Sequence, residues 1–270
     1  MVKVFVHGVP ETDVVWNTLI AELDERFIDD RMVRLSPPGF GAPIPDGWAA
    51  TPPAYVDWLE ARLVEIIDEE AAAERFPEID LVGHDWGAGH VFGLVAKRPD
   101  LVRTWAIDCA GLLNADYVWH DIAQQWQTAD VGEAVVDYMT AMSVADRAAS
   151  YVEFGLSADD ASAMAQGFTP EMGSCILNLY RAAVQPAMAE KAEDLFAALD
   201  GLGPDAPSVC LITPLLDPYV PADLVPMVAA RLAAEEIKLA DAGHWWMASP
   251  GAAATAADAL LMFWRTHGTA

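Results

Sequence analysis

Asp80-Leu81-Val82-Gly83-His84-Asp85-Trp86-Gly87-Ala88-Gly89 is the stretch from which the rest of the chain can be read. Ile79 to Val82 is a short, mostly apolar run, and Trp86 to Lys97 spaces its apolar residues as a helix does. Gly83 to Gly87 therefore falls on a tight strand-to-helix turn. In the pattern G-x-S-x-G such a turn lifts one side chain above the end of a parallel sheet, its glycines permitting a sharp, strained backbone. Here Asp85 holds the exposed position. Serine attacking a saturated carbon would leave an ether that water does not readily cleave, whereas a carboxylate leaves a hydrolysable ester. Asp85 thus suits displacement of a leaving group from an alkyl carbon, and its place before a helix N-terminus is expected to favour the ionised form. The plain alternative is an aspartate cap on an ordinary helix.

Working outward, Val2 to Val6 reads as a strand buried on both faces and ends in His7-Gly8-Val9-Pro10. Thr12 or Asp13 can cap a helix with Val15, Trp16, Leu19, Leu23 and Phe27 on one stripe. Met32 to Leu35 is a second strand, and Thr51-Pro52-Pro53 opens a helix whose buried face is Tyr55, Leu59, Leu63, Ile66 and Ile67. After the Asp85 turn and its helix, Val102 to Ile107 reads as another strand. From 112 to 199 the pattern is helical without a convincing strand. Alternation resumes with strands at Ser208 to Thr213 and Ile237 to Ala240 and helices at Pro221 to Leu232 and Ala252 to Arg265. Residues 1–111 and 200–270 therefore predict an α/β core, 112–199 an inserted helical cap, and the glycines and prolines of 201–207 the hinge.

The 270 residues suffice for one large core with an insertion, and 54% hydrophobic content marks a globular chain. With 41 acidic against 15 basic residues, the formal charge of −26 would repel phosphate backbones and anionic lipid surfaces, so neither nucleic acid nor membrane is an expected partner. Cys109, Cys175 and Cys210 show no paired spacing and read as small buried apolar residues. No dinucleotide, P-loop, zinc-protease or EF-hand pattern is present, so no cofactor and no metal is implied. The chain starts directly in a strand and has no bilayer-length apolar run, which predicts a cytoplasmic protein.

Two further features fall at predicted strand ends, where open α/β sheets place their ligands: Leu216-Asp217-Pro218-Tyr219-Val220-Pro221 and Asp241-Ala242-Gly243-His244-Trp245-Trp246. Asp85, Asp217 and His244 then stand in the chain order nucleophile, acid, histidine. His244 would activate water against an ester on Asp85, and Asp217 would fix its tautomer. Asp108, at the end of the Val102 to Ile107 strand, is the rival acid. Each residue alone would more often be structural; their joint order points to a site.

With His7-Gly8-Val9-Pro10-Glu11, Trp16, Pro38-Gly39-Phe40-Gly41, Gly83-His84-Asp85-Trp86-Gly87, Asp217 and Gly243-His244, the chain resembles the aspartate-nucleophile branch of the α/β-hydrolase superfamily, which includes epoxide hydrolases and haloalkane dehalogenases. The resemblance implies an α/β-hydrolase fold with a mainly parallel sheet of about six strands, the first two of the usual eight being absent, and a helical cap. It assigns oxyanion-hole amides to Val9 and Trp86. It also implies an epoxide hydrolase acting on a small apolar substrate and water, because Asn178-Leu179-Tyr180-Arg181 resembles a cap motif that supplies a proton donor, here Tyr180. A second cap tyrosine has no clear match around Gln124 to Gln127, although Tyr138 and Tyr151 lie further along. The alternative is haloalkane dehalogenation, with Trp86 and a cap donor such as Trp119, His120 or Trp126 holding the halide. The absence of arginine beside Asp85 argues against a substrate carboxylate. His7, His84, Trp119, His120, Trp126 and Trp245 are the remaining candidates for the substrate pocket. A non-enzymatic use of the fold would be favoured by a missing triad member, and none is missing.

Overall fold

The computed structural model describes residues 1–26 and 30–267; Phe27, expected on the first helical stripe, lies outside them. Six strands form one sheet among the described residues: β1 (Val2–Val6), β2 (Arg31–Leu35), β3 (Ile79–Gly83), β4 (Thr104–Ile107), β5 (Ser208–Pro214) and β6 (Glu235–Leu239). Their order is β2-β1-β3-β4-β5-β6 and every pairing is parallel. This is the α/β-hydrolase sheet the sequence implies. Strand order reverses between β1 and β3, and such switch points open a crevice beyond the strand ends. Val6 pairs with Gly83, and Gly83 with Ile107, so the loops starting at His7, His84 and Asp108 leave the sheet side by side.

Alternation along each strand sends neighbours to opposite faces. Phe5, Val82, Ala106 and Cys210 point toward α1 (Asn17–Asp24) and α11 (Pro250–Thr266), joining Trp16, Leu19 and Leu260 in one apolar cluster. Val4, Val6, Leu81, Ile107 and Leu211 point toward α2 (Pro52–Ala72), α3 (Trp86–Lys97) and α10 (Val225–Leu232), where Leu59, Leu63, Phe92 and Val228 meet them. A 3-10 turn over Asp13–Trp16 leads into α1, and Thr12 makes no side-chain cap bond. Cys109, Cys175 and Cys210 are free and buried.

Between β4 and β5 the chain is helical: α4 (Asp121–Gln127), α5 (Val131–Ala141), α6 (Val144–Glu153), α7 (Ala158–Gln166), α8 (Pro170–Arg181) and α9 (Ala187–Asp200). Ser143, Ser157 and Thr169 cap α6, α7 and α8 by accepting the amides of Asp146, Asp160 and Met172. Packing divides this stretch unevenly. Phe196 of α9 lies 5.3 Å, ring to ring, from Phe92 of α3, and Ala192 and Leu199 enter the same core cluster. An apolar face of that kind keeps α9 on the sheet, Ala161, Met164 and Ala165 of α7 join the cluster around Trp16, and residues of α4, α5, α6 and α8 face the strand ends. No helix of the described residues is long and apolar enough to cross a membrane.

Candidate active site

Asp85 sits between β3 and α3 with φ 51° and ψ −121°, a backbone costly for a residue with a Cβ, of order 1–3 kcal/mol. The flanking glycines serve a different purpose from the expected one. A Cβ on Gly83 would lie 2.7 Å from the Gly87 carbonyl oxygen, and one on Gly87 only 2.2 Å from the Val6 carbonyl oxygen. They give room for close backbone approach, while the left-handed φ falls on Asp85 itself. That conformation is held by the Asp85 amide, which donates to Asp108 Oδ1 at 3.0 Å.

The Asp85 carboxylate faces two backbone donors. Val9 N–H reaches Oδ1 at 2.9 Å, and the adjoining Trp86 amide favours the charged carboxylate. These are the two amides assigned to an oxyanion hole, gathered from the end of β1 and the start of α3. His244 Nε2 lies 3.9 Å from Asp85 Oδ2, a separation that one bridging water can span. On its other side His244 Nδ1 is 2.9 Å from Asp217 Oδ2. Asp217 Oδ1 in turn accepts the amides of Tyr219 and Val220 at 2.8 and 3.2 Å, which fixes the carboxylate in its turn. Asp108 does not reach His244; its oxygens take His84 Nδ1, the Asp85 amide and the Trp246 indole.

Burial works against the ionised form expected of a helix N-terminus. It raises the Asp85 pKa to about 6, although His244, His84 and the Trp86 amide pull the other way. His244 is buried too, which lowers its basicity, but Asp217 outweighs this and leaves it above the ordinary imidazole value. Burial pushes the Asp217 pKa up, but the bond to His244, the His244 charge and the Tyr219 and Val220 amides together outweigh it and leave Asp217 below the usual aspartate value.

A cavity of about 270 Å³ lies over Asp85 and His244, walled from above by residues of α4, α5, α6 and α8. His120, Trp126 and Trp245, expected in the pocket, line it together with Tyr180. His7, His84 and Trp119 do not. His7 and His84 are wholly buried behind the nucleophile, since strand-end register turns them into the core. Trp119 lines a smaller cavity of about 140 Å³ on the other side of Trp86, its indole held by the Ala183 carbonyl at 2.8 Å. His120 caps α4 through its ring, and burial and His244 push its pKa to about 4, so it is neutral.

Tyr180 is 2% exposed and its ring is 5.3 Å from Trp86 and 4.8 Å from Trp126. Burial, with the Asp85 charge, holds the phenol pKa well above its ordinary value against the opposing pull of the neighbouring Trp86 indole, so the phenol stays protonated. The Trp126 indole N–H is buried and makes no hydrogen bond. Of the other cap tyrosines, Tyr138 is on the surface. Tyr151 lines the cavity but gives its hydroxyl to the Pro10 carbonyl at 3.3 Å.

Arg147 and Phe154 had no role in the sequence, and Tyr151 stood there only as a tyrosine further along the cap; α6 and its C-terminal turn bring all three to the cavity. Helical spacing of 147, 151 and 154 was the available signal, but it does not say which element the face meets. Glu11 also went without a role, although it stands in the quoted His7 to Glu11 motif. Among the described residues, three trios of side chains could in principle hold a metal ion: Glu11-His84-His244, His84-Asp108-Cys109 and Cys109-Asp217-His244. Both nitrogens of His84 already face carboxylates, and His244 Nδ1 faces Asp217, so the imidazoles have little to offer a metal here.

Compared with known proteins, residues 4–257 match the model of the alpha/beta hydrolase family. The chain belongs to that family. The haloalkane dehalogenase DbeA-M1 loop variant from Bradyrhizobium elkanii is a structural neighbour of this α/β-hydrolase at TM-score 0.67 and 20% identity, covering 98% of this chain and 91% of the other. The epoxide hydrolase VrEH2 aligns at TM-score 0.66 and 20% identity over 98% and 92% of the two chains. A thioesterase domain from the curacin biosynthetic pathway aligns at TM-score 0.67 and 14% identity over 96% and 90%. Neighbours of such different chemistry at this identity establish the fold and leave the reaction to the site. A search of curated proteins finds no match.

Proposed function

We propose that this α/β-hydrolase opens epoxides to vicinal diols through a covalent ester on Asp85. In the first step the Asp85 carboxylate attacks an epoxide carbon and the carbon–oxygen bond breaks toward oxygen. Tyr180 gives its proton to the developing alkoxide, and the phenolate recovers one from solvent. In the second step His244 takes a proton from water, and the hydroxide adds to the ester carbonyl carbon. Val9 and Trp86 amides hold the oxyanion and Asp217 stabilises the imidazolium; on collapse the imidazolium returns its proton to the leaving oxygen, which releases the diol, and the Asp85 carboxyl, now carrying the oxygen of water, loses its proton to solvent.

The observation that carries the choice of leaving group is the placement of Tyr180. Tyr180 lines the same cavity as Asp85, its ring beside the Trp86 indole and its phenol protonated, so it carries a proton to give toward substrate. A raised phenol pKa does not oppose this role, because an alkoxide is far more basic than any phenolate. Tyr180→Phe is expected to slow ring opening by about 10²–10⁴-fold, the usual general-acid contribution, while hydrolysis of a preformed ester continues. Single-turnover kinetics with an epoxide measures both; unchanged ring opening would remove Tyr180 from the mechanism.

One observation favours haloalkane dehalogenation as the second reading. The Trp126 indole is buried without a partner, and with Trp86 it would supply two N–H donors to a halide. Tyr180 packs against both indoles and brings a proton donor for which a halide leaving group has no need, which is why this reading ranks second. Assaying halide and diol release over a panel of haloalkanes and epoxides separates the two.

A further inference from the structure

Glu11, His84 and Asp108 are fully buried behind Asp85, and the reaction as written makes no use of them. His84 Nδ1 hydrogen-bonds Asp108 Oδ2, and Nε2 meets Glu11 Oε1 at 3.0 Å. A neutral imidazole has a single N–H, so bonding both nitrogens to ionised carboxylates requires the imidazolium. The two carboxylates are engaged alike. Glu11 accepts the Gly8 amide at 3.0 Å and the Trp245 indole at 2.5 Å. Asp108 accepts the Asp85 amide at 3.0 Å and the Trp246 indole at 2.6 Å. Gly8 and Asp85 immediately precede Val9 and Trp86, whose amides face the reacting carboxylate. Trp245 and Trp246 immediately follow His244.

We propose that Glu11, His84 and Asp108 form a buried charge clamp that fixes the spacing of the Val9 and Trp86 amides and the seat of His244, acting as positioning residues for ester hydrolysis. The clamp rests on the reading of Asp85 as nucleophile. It ties together four loops that leave different strands, through hydrogen bonds in which one partner is charged and which are stronger for it. Burial alone would drive His84 neutral, but Asp108 and Glu11 outweigh it and keep the ring protonated. Glu11 is itself destabilised by burial, yet His84 holds its pKa at about 2. Neither Glu11 oxygen is left to act as a base toward water, since one serves His84 and Trp245 and the other Gly8.

The clamp should matter unequally to the two steps. An oxyanion develops only when the ester is hydrolysed, so misplaced amides tax that step, and displacement by about 1 Å can cost about 10²-fold. Attack by Asp85 creates no oxyanion at that position. Glu11→Gln keeps the shape of the side chain and removes its charge. Rapid quench with an epoxide, read as the mass of the Asp85 peptide, is expected to show ester accumulating during turnover, hydrolysis falling about 10²-fold and alkylation less than tenfold. Trp246→Phe removes one donor to Asp108 and is expected to shift the two rates the same way by a smaller factor, which tests the clamp should Glu11→Gln not fold. His244→Gln, which should trap the ester, is the control. If it traps none, the nucleophile reading fails and the clamp with it. If it traps ester but neither Glu11→Gln nor Trp246→Phe accumulates any, the clamp alone is overturned. Equal slowing of both steps, or a lower melting temperature with an unchanged ratio of rates, likewise reduces the three residues to structural roles and overturns it.

Discussion

On its core side Asp85 meets Glu11, His84 and Asp108, whose charges and hydrogen bonds are mutually committed. On its cap side it meets Tyr180 and Trp126, whose rings pack on each other, and His120, whose ring packs on Tyr219, with the Trp126 N–H making no bond. Polar groups locked to each other hold a geometry, which suits the handling of an ester that is the same for every substrate. Aromatic rings with uncommitted donors hold a shape, which suits the choice of leaving group. The proposed reaction divides accordingly, with hydrolysis machinery below the substrate and selection above it.

The largest expected effect breaks the lower half. His244→Gln should cut turnover by about 10⁶-fold, as loss of a catalytic base in a comparable triad does, and leave Asp85 esterified. Peptide mass spectrometry after incubation with substrate checks this; oxygen-18 from water entering product in a single turnover without ever entering Asp85 would show that no ester forms.

Next, the two aspartates below the site should part company. Asp217→Asn is expected to lower kcat about 10⁴-fold with little change in melting temperature, because it faces His244. Asp108→Asn removes a charge partner of buried His84 and is expected to cost about 3–5 kcal/mol of stability. Denaturation curves beside steady-state rates decide the matter. An active Asp217→Asn and a stable, inactive Asp108→Asn would exchange their roles.

A smaller effect comes from acid. With the Asp85 pKa raised to about 6, lowering pH through that value protonates the nucleophile, so ring opening should fall about tenfold for each unit below it. His244, whose pKa is also raised, must be neutral to take a proton from water, so hydrolysis is lost in the same direction. Single-turnover rates measured from pH 4 to 8 test the sign; a rate that is flat down to pH 4 would mean that Asp85 is not the titrating nucleophile.

The smallest expected effect sharpens the upper half. Phe154 lines the cavity from the turn after α6, is 46% exposed and stacks on Trp245 at 4.6 Å. Phe154→Ala should change stability by no more than about 0.5 kcal/mol while raising kcat/KM for bulky substrates a few-fold relative to small ones. Equal effects on both substrate sizes would place the aromatic outside the path of the substrate.

The order of strands and helices, the turn carrying Asp85 and the strand-end positions of Asp217 and His244 were legible in the sequence, because each depends on periodicity or turn chemistry over a few neighbouring residues. Asp85 to His244 spans most of the chain, yet parallel pairing places strand ends together, so chain order sufficed to predict their meeting. The tertiary structure decided what depends on contacts that cross elements. Whether His244 bonds Asp217 or Asp108, whether His84 faces the cavity or the core, and that α9 belongs with the sheet all follow from register and packing. The Asp85 pKa is the sharpest case. From the sequence, its helix N-terminus favours the anion, but in the fold, desolvation outweighs the nearby donors and cations. Burial is a property of the whole surrounding shell and has no local signature along the chain.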